Sequence, residues 1–137
     1  MALKHAELTE QIISAFYAVH NGLGYGFLEK VYRNALAYEL RKRGFNVICE
    51  QRAEVFYDGI VVGEYYADLV VEEKVILELK VAEAIGEAHI AQLLNELQAT
   101  AYEVGFVLNF GPKATFARRF TSNENKPNLQ LNPRSSV

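Results

Sequence analysis

Asp68, Glu78 and Lys80 are the residues whose types and spacing could do chemistry. They fall in the stretch 65–80, YYADLVVEEKVILELK, which reads as two short apolar strands joined by the acidic turn Glu72-Glu73-Lys74. Strand side chains alternate between faces, so Glu78 and Lys80 share one face with Ile76, while Leu77 and Leu79 take the other. If the two strands pair around the turn, Asp68 and Glu78 can approach each other across the ladder. Two carboxylates brought together repel, and one must take up a proton unless a cation intervenes. Mg²⁺ suits such a pair, because it takes oxygen ligands and keeps several of its waters. A lysine two residues from a ligand can then help activate water or stabilise charge developing on a phosphate. The plainer alternative has Asp68 ending a strand and Glu78 and Lys80 forming a solvated edge pair, since Glu-x-Lys is a common string.

The elements that must position these groups follow from periodicity. Residues 8–20 read as an amphipathic helix with Leu8, Ile12, Ile13, Phe16 and Val19 on one stripe, Thr9 as N-cap and Asn21-Gly22 as a stop. The loop 21–26, NGLGYG, is glycine-rich but is not followed by Lys-Ser/Thr, which excludes a phosphate-cradling P-loop. A second helix is predicted over 27–43, closed by Gly44, with Leu28, Val31, Tyr32, Ala35, Leu36 and Leu40 as its apolar face. Within it, Glu29 fits a first-turn acid after a Gly26 cap, or a partner of Arg33 one turn on. Tyr32 fits a half-buried aromatic at the core edge. Strands follow at 45–57 and 60–66 around Tyr57-Asp58-Gly59. After Lys80, a helix over about 86–102 places His89 and Gln92 on one face. Residues 105–110 form a buried strand, 114–120 a last strand, and 121–137, rich in Asn, Ser and Pro, a mobile tail.

The totals narrow the class without naming a function. A chain of 137 residues, half of them hydrophobic, suits one folded domain, assigned to 1–120. No apolar run reaches membrane-spanning length and residues 1–5 lack a signal-peptide core, so a cytoplasmic protein with no membrane partner is expected. The lone Cys49 rules out an intrachain disulfide and a cysteine-rich zinc site, and its setting in Val47-Ile48-Cys49 predicts a buried, inert thiol. Fourteen basic against 17 acidic residues give a net charge of −3, which argues against a protein that coats nucleic acid at large. Local basic groups remain, at Arg33, Arg41, Lys42 and Arg43 and at Lys113, Arg118 and Arg119.

A family resemblance rests on several ordered motifs. His20-x-x-Leu23-Gly24-x-Gly26-Phe27-Leu28-Glu29-x-x-Tyr32 resembles the signature of the GxxExxY proteins, small bacterial and archaeal members of the PD-(D/E)xK nuclease superfamily. The likeness continues through 38–44, Tyr57-Asp58-Gly59, Asp68, Glu78-Leu79-Lys80, His89-x-x-Gln92-Leu93-Leu94 and Leu108-Asn109-Phe110-Gly111. It implies an α/β, restriction-endonuclease-like core, with a mixed central sheet flanked by helices. It further implies a Mg²⁺-dependent nuclease, with Mn²⁺ as a substitute ion, that hydrolyses phosphodiester bonds in nucleic acid of unspecified type. By the same resemblance Asp68, Glu78 and Glu29 are the metal-directed acids, Lys80 the catalytic lysine and Gln92 its helix partner, while His20, Tyr32 and His89 line the site. Two departures stand out: Ala67 replaces the proline of the superfamily's name, and 93–97 reads LLNEL where relatives carry a tyrosine. The competing readings are a binding or regulatory module that keeps the fold without cleavage, and an assembly subunit that homodimerises through the 27–43 helix or a strand edge.

Overall fold

The computed structural model describes residues 3–131. Its elements run α1 (Ala6–Leu23), α2 (Glu29–Lys42), β1 (Val47–Tyr57), β2 (Ile60–Val71), β3 (Val75–Lys80), α3 (Glu87–Ala99), β4 (Val104–Phe110), β5 (Ala114–Phe120), a 3₁₀ turn at Asn123–Asn125 and a short α4 (Pro127–Leu131). The five strands lie side by side in sequence order, all neighbours antiparallel except β3 and β4. That parallel pair needs a crossover, and α3 supplies it. The mixed sheet flanked by helices is the architecture the sequence predicts.

Alternation along β3 sorts the core into two layers. Leu77 and Leu79 join Ile12, Phe16, Tyr32, Leu36 and Phe110 in the larger cluster under α1 and α2. Ile76 joins Ala67, Val70, Leu93, Leu97 and Val107 under α3. Strand β4 is buried along its full length, as a central strand covered on both faces should be. The β2–β3 turn is tight. Glu72 and Glu73 both have positive φ, 54° and 52°, as the central residues of a primed turn do, and the Lys74 N–H closes the turn on the Val71 carbonyl. The Glu72 carboxylate accepts from the Asn46 N–H, and its own N–H donates to the Asn46 carbonyl.

Several local expectations differ from the structure. Residues 60–71 form one continuous strand rather than two pieces, with a register shift against β1 between Val55 and Phe56. Thr9 is not the N-cap of α1. The helix starts a turn earlier, after His5, and the Thr9 hydroxyl donates back to the Ala6 carbonyl. Cys49 is exposed rather than buried. Residues 121–131 are folded, contrary to the expected tail: buried Lys126 donates to the Thr100 and Tyr102 carbonyls, and Asn128 accepts from the Phe56 N–H. The remainder of that predicted tail, 132–137, lies outside the described residues. Among the described residues, no helix is long and apolar enough to cross a membrane.

Candidate active site

The site forms where the β2–β3 ladder opens. Backbone pairing runs from Val71 opposite Val75 to Leu69 opposite Leu77 and stops there. At the next position the carboxylates of Asp68 and Glu78 take the place of backbone acceptors. The Asp68 N–H donates to Glu78 Oε2 at 3.1 Å, and the Leu79 N–H donates to Asp68 Oδ2 at 2.8 Å. Each acid is thus held by the other's strand. Gln92, one turn into α3, donates through Nε2 to Glu78 Oε1 at 2.9 Å and accepts from Lys80 Nζ through Oε1 at 2.8 Å. Lys80, Gln92 and the Glu78 carboxylate form one hydrogen-bonded chain that ends on the Asp68 backbone, and the Asp68 carboxylate is held beside it by the Leu79 N–H.

Its electrostatics are those of unneutralised acid. Glu78 is only 1% exposed. Burial, reinforced by the Glu96 carboxyl and the charge of Asp68, pushes its carboxyl up to about 10. Burial also raises Asp68, against the pull of the Leu79 N–H and the Lys80 ammonium. Glu29, exposed at the start of α2, is raised by partial burial and by the charge of Asp68, with Lys80 and Arg33 acting in the opposite sense. It is therefore near the pair, yet among the described residues no three of His, Cys, Asp and Glu converge closely enough to hold an ion on their own. Two hard carboxylates in that state fit a hydrated divalent ion, which needs few protein ligands.

The other predicted residues lie beneath or beside this chain. Tyr32 is fully buried, and its hydroxyl donates to the Gly24 carbonyl and accepts from the Phe27 N–H. His20 Nε2 lies 2.8 Å from the Gly111 carbonyl, and its ring stacks on Phe110. His89 Nδ1 accepts from the Gly86 N–H and so caps its own helix. All three spend these bonds on backbone groups of the glycine-bearing segments around Gly24, Gly86 and Gly111. Arg33 pairs with Glu50 at 2.9 Å, not with Glu29.

Two residues beside these groups have no role assigned by the sequence. Glu96 lies against Glu78 and Gln92, 1% exposed, with neither oxygen making a full hydrogen bond. Its spacing of four from Gln92, on the face of buried Leu93 and Leu97, is the signal that would have found it. Asn109, fully buried, clamps the segment that follows Lys80 by accepting from the Ala82 N–H and donating to the Ala82 carbonyl, both at 2.9 Å. A Cβ at the nearby Gly111 would lie 1.9 Å from that same carbonyl, so only glycine admits this approach. A polar residue inside an apolar strand, two residues before a glycine, is the cue there.

A family model of the PD-(D/E)XK nuclease superfamily matches residues 6–120. The chain belongs to that superfamily. Its members generally use divalent metal ions and act on nucleic acid. The GxxExxY signature is consistent with that membership. Among solved structures, the crystal structure of SSO0001 is similar in fold, with a TM-score of 0.53 at 19% identity over 92% of this chain. The match spans 63% of that protein, so the two share a core and not a full length. Comparison with curated proteins gave no match.

Proposed function

We propose that the protein is a Mg²⁺-dependent nuclease, with Mn²⁺ as a substitute ion, in which Asp68 and Glu78 hold the metal and Lys80 assists hydrolysis of a phosphodiester bond. One observation carries the reading: at the open end of the β2–β3 ladder Lys80, Gln92 and Glu78 are joined by hydrogen bonds, and Asp68 and Glu78 are each held by a backbone N–H of the other's strand. A divalent ion at such a pair polarises a phosphoryl oxygen and lowers the pKa of water. The protein's own groups do the rest. Gln92 holds the Lys80 ammonium in one place, where it can stabilise charge developing on phosphate oxygens at no cost in reorganisation. The Asp68 and Leu79 N–H groups fix the carboxylates, so ligand geometry is set before anything binds. Glu29, exposed and with a raised pKa, is the group placed to take a proton from an attacking water.

A second reading, a binding module that keeps the fold without turnover, draws on the burial of Glu78 and on the extra acid Glu96 behind it. The two separate in one experiment. Purified protein is incubated with plasmid DNA, single-stranded DNA and RNA in Mg²⁺ or Mn²⁺, beside Lys80→Met. Cleavage by the wild type that disappears in the variant, with metal binding retained in calorimetry, supports the nuclease. Metal binding without cleavage of any substrate supports the module, and no metal binding in a folded protein overturns the site assignment.

A further inference from the structure

The loop between α1 and α2 carries a feature that the proposed hydrolysis does not use. Within four residues it exposes Tyr25 (54%), Phe27 (48%) and Leu28 (80%). Single apolar side chains at a surface are ordinary, but three on one short loop are not. Nor is the loop loosely held. Gly24 closes α1 by donating to the His20 carbonyl, Gly24 and Gly26 take the positive φ values of 72° and 122°, and the Tyr32 hydroxyl ties the Gly24 carbonyl to the Phe27 N–H. The Tyr32 ring is itself stacked on Phe110 at 4.6 Å and meets Phe27 edge-on at 6.2 Å. Core packing therefore extends into the loop as far as Phe27, and the loop backbone is tied at Gly24 and Phe27. This is what the glycines and the tyrosine of the 24–32 motif accomplish.

Position gives the feature a use. Leu28 caps α2, and that helix packs Tyr32 and Leu36 into one cluster with Leu77 and Leu79, the β3 residues on either side of Glu78. Aromatic faces fixed beside a phosphate-directed site match the chemistry of a nucleotide, a phosphate with a flat base attached. Bases inside a duplex have both faces occupied, whereas an unpaired base can stack on a side chain. A chain of net charge −3 also lacks general affinity for the phosphate backbone, which shifts the weight of recognition onto base contacts. We propose that Tyr25 and Phe27, with Leu28 at the rim, form a stacking platform for unpaired bases, so that the site takes single-stranded or locally unpaired nucleic acid. This rests on the nuclease reading and adds its substrate class.

The test is fluorescence anisotropy on the full chain, with Ca²⁺ replacing Mg²⁺ and three labelled DNA probes about 12 nucleotides long. The probes are a single strand, the same strand made of abasic sites, and the duplex. The wild type is expected to bind the base-bearing strand about tenfold or more tightly than either other probe, from the known strength of base–aromatic stacking. Tyr25→Ala should bring the single strand close to the abasic level, while Tyr25→Phe keeps the preference. Both variants should melt as the wild type does, since Tyr25 is exposed. Phe27→Ala provides a second loss of stacking. Equal binding of abasic and base-bearing strands, tighter binding of the duplex, no binding of any probe, or an unaffected Tyr25→Ala each overturns the platform. Mg²⁺-induced thermal stabilisation and cleavage are read separately. If both persist, only the platform has failed; if both are absent, the nuclease reading has failed with it.

Discussion

Replacing Glu78 by glutamine should stabilise the metal-free protein at neutral pH and abolish its response to metal. The folded-state carboxyl is pushed up to about 10, whereas in the unfolded chain it titrates near 4.5. The folded protein therefore holds the proton through that window while the unfolded chain has released it. Stability attached to Glu78 is complete below 4.5 and falls steadily as pH rises towards 10. Between pH 4.5 and 7 the loss is about 3 kcal/mol, at 1.36 kcal/mol per pH unit. Glutamine has the same shape and no charge to desolvate, so it escapes this loss. It also disturbs one hydrogen bond, because it cannot accept from both the Asp68 N–H and Gln92, at a cost of about 1 kcal/mol that does not vary with pH.

The assay is guanidinium denaturation of wild type and Glu78→Gln at pH 4.5, 7 and 8, first in chelator and then in Mg²⁺. In chelator, the variant's stability relative to wild type should grow by about 3 kcal/mol between the first two pH values. At pH 7 Mg²⁺ offsets the variant's advantage, because binding at one hundred times the dissociation constant stabilises the wild type by about 2.7 kcal/mol and leaves the variant unmoved. A wild-type–variant difference that is flat with pH would refute the electrostatic account of Glu78. An Mg²⁺ response preserved in the variant would refute its place as a ligand.

Other perturbations separate the parts of the site. Lys80→Met, at a partly exposed position with one side-chain bond, should leave the melting temperature within a few degrees and remove cleavage, read by substrate gel and thermal melt. Glu96→Met removes a buried carboxyl whose oxygens lack full partners, and should raise unfolding free energy by about 1–3 kcal/mol in denaturant titration. Tyr32→Phe strands the Gly24 carbonyl and should cost about 1–2 kcal/mol, with faster amide exchange at Phe27 as the local readout. Lys126 is pushed down to about 8 by burial, below the usual 10.5, so its folded form sheds the proton first. Its contribution to stability should rise from pH 8 to 10.5 and be missing in Lys126→Met, as measured by the difference between their melting curves.

The sheet and its reactive pair were legible because a period of two is a local property. The alternation Ile76, Glu78, Lys80 against Leu77, Leu79 assigns faces whatever surrounds the strand. Features decided by distant partners were hidden. The early start of α1, the fold of 121–131 and the exposure of Cys49 all depend on packing between elements far apart in the chain. Lys126 shows this well: its sequence neighbours read as a polar tail, but two carbonyls from the segment after α3 give its ammonium acceptors and draw the chain inward. Glu96 was passed over for a different reason. A charged residue at helical spacing from a partly buried glutamine reads as a solvated face until the helix is seen packed on Glu78.

The opening of the β2–β3 ladder explains why stability and chemistry meet at one point. Had the strands continued to pair, the Asp68 and Leu79 N–H groups would bond to backbone carbonyls and the two carboxylates would face each other unheld. Ending the backbone pairing at Leu69 releases those donors to the acids, which fixes both side chains and leaves their remaining lone pairs for a cation. The fold tolerates the break because β3 is secured on its other side by six register pairs with β4. Asn109, opposite Lys80 in that register, clamps the chain beyond the lysine by both polar groups of Ala82. Removing that clamp with Asn109→Ala should therefore lower any activity that depends on Lys80 more than it lowers metal affinity at Asp68 and Glu78. Equal losses in calorimetry and turnover would show instead that the clamp supports the whole sheet.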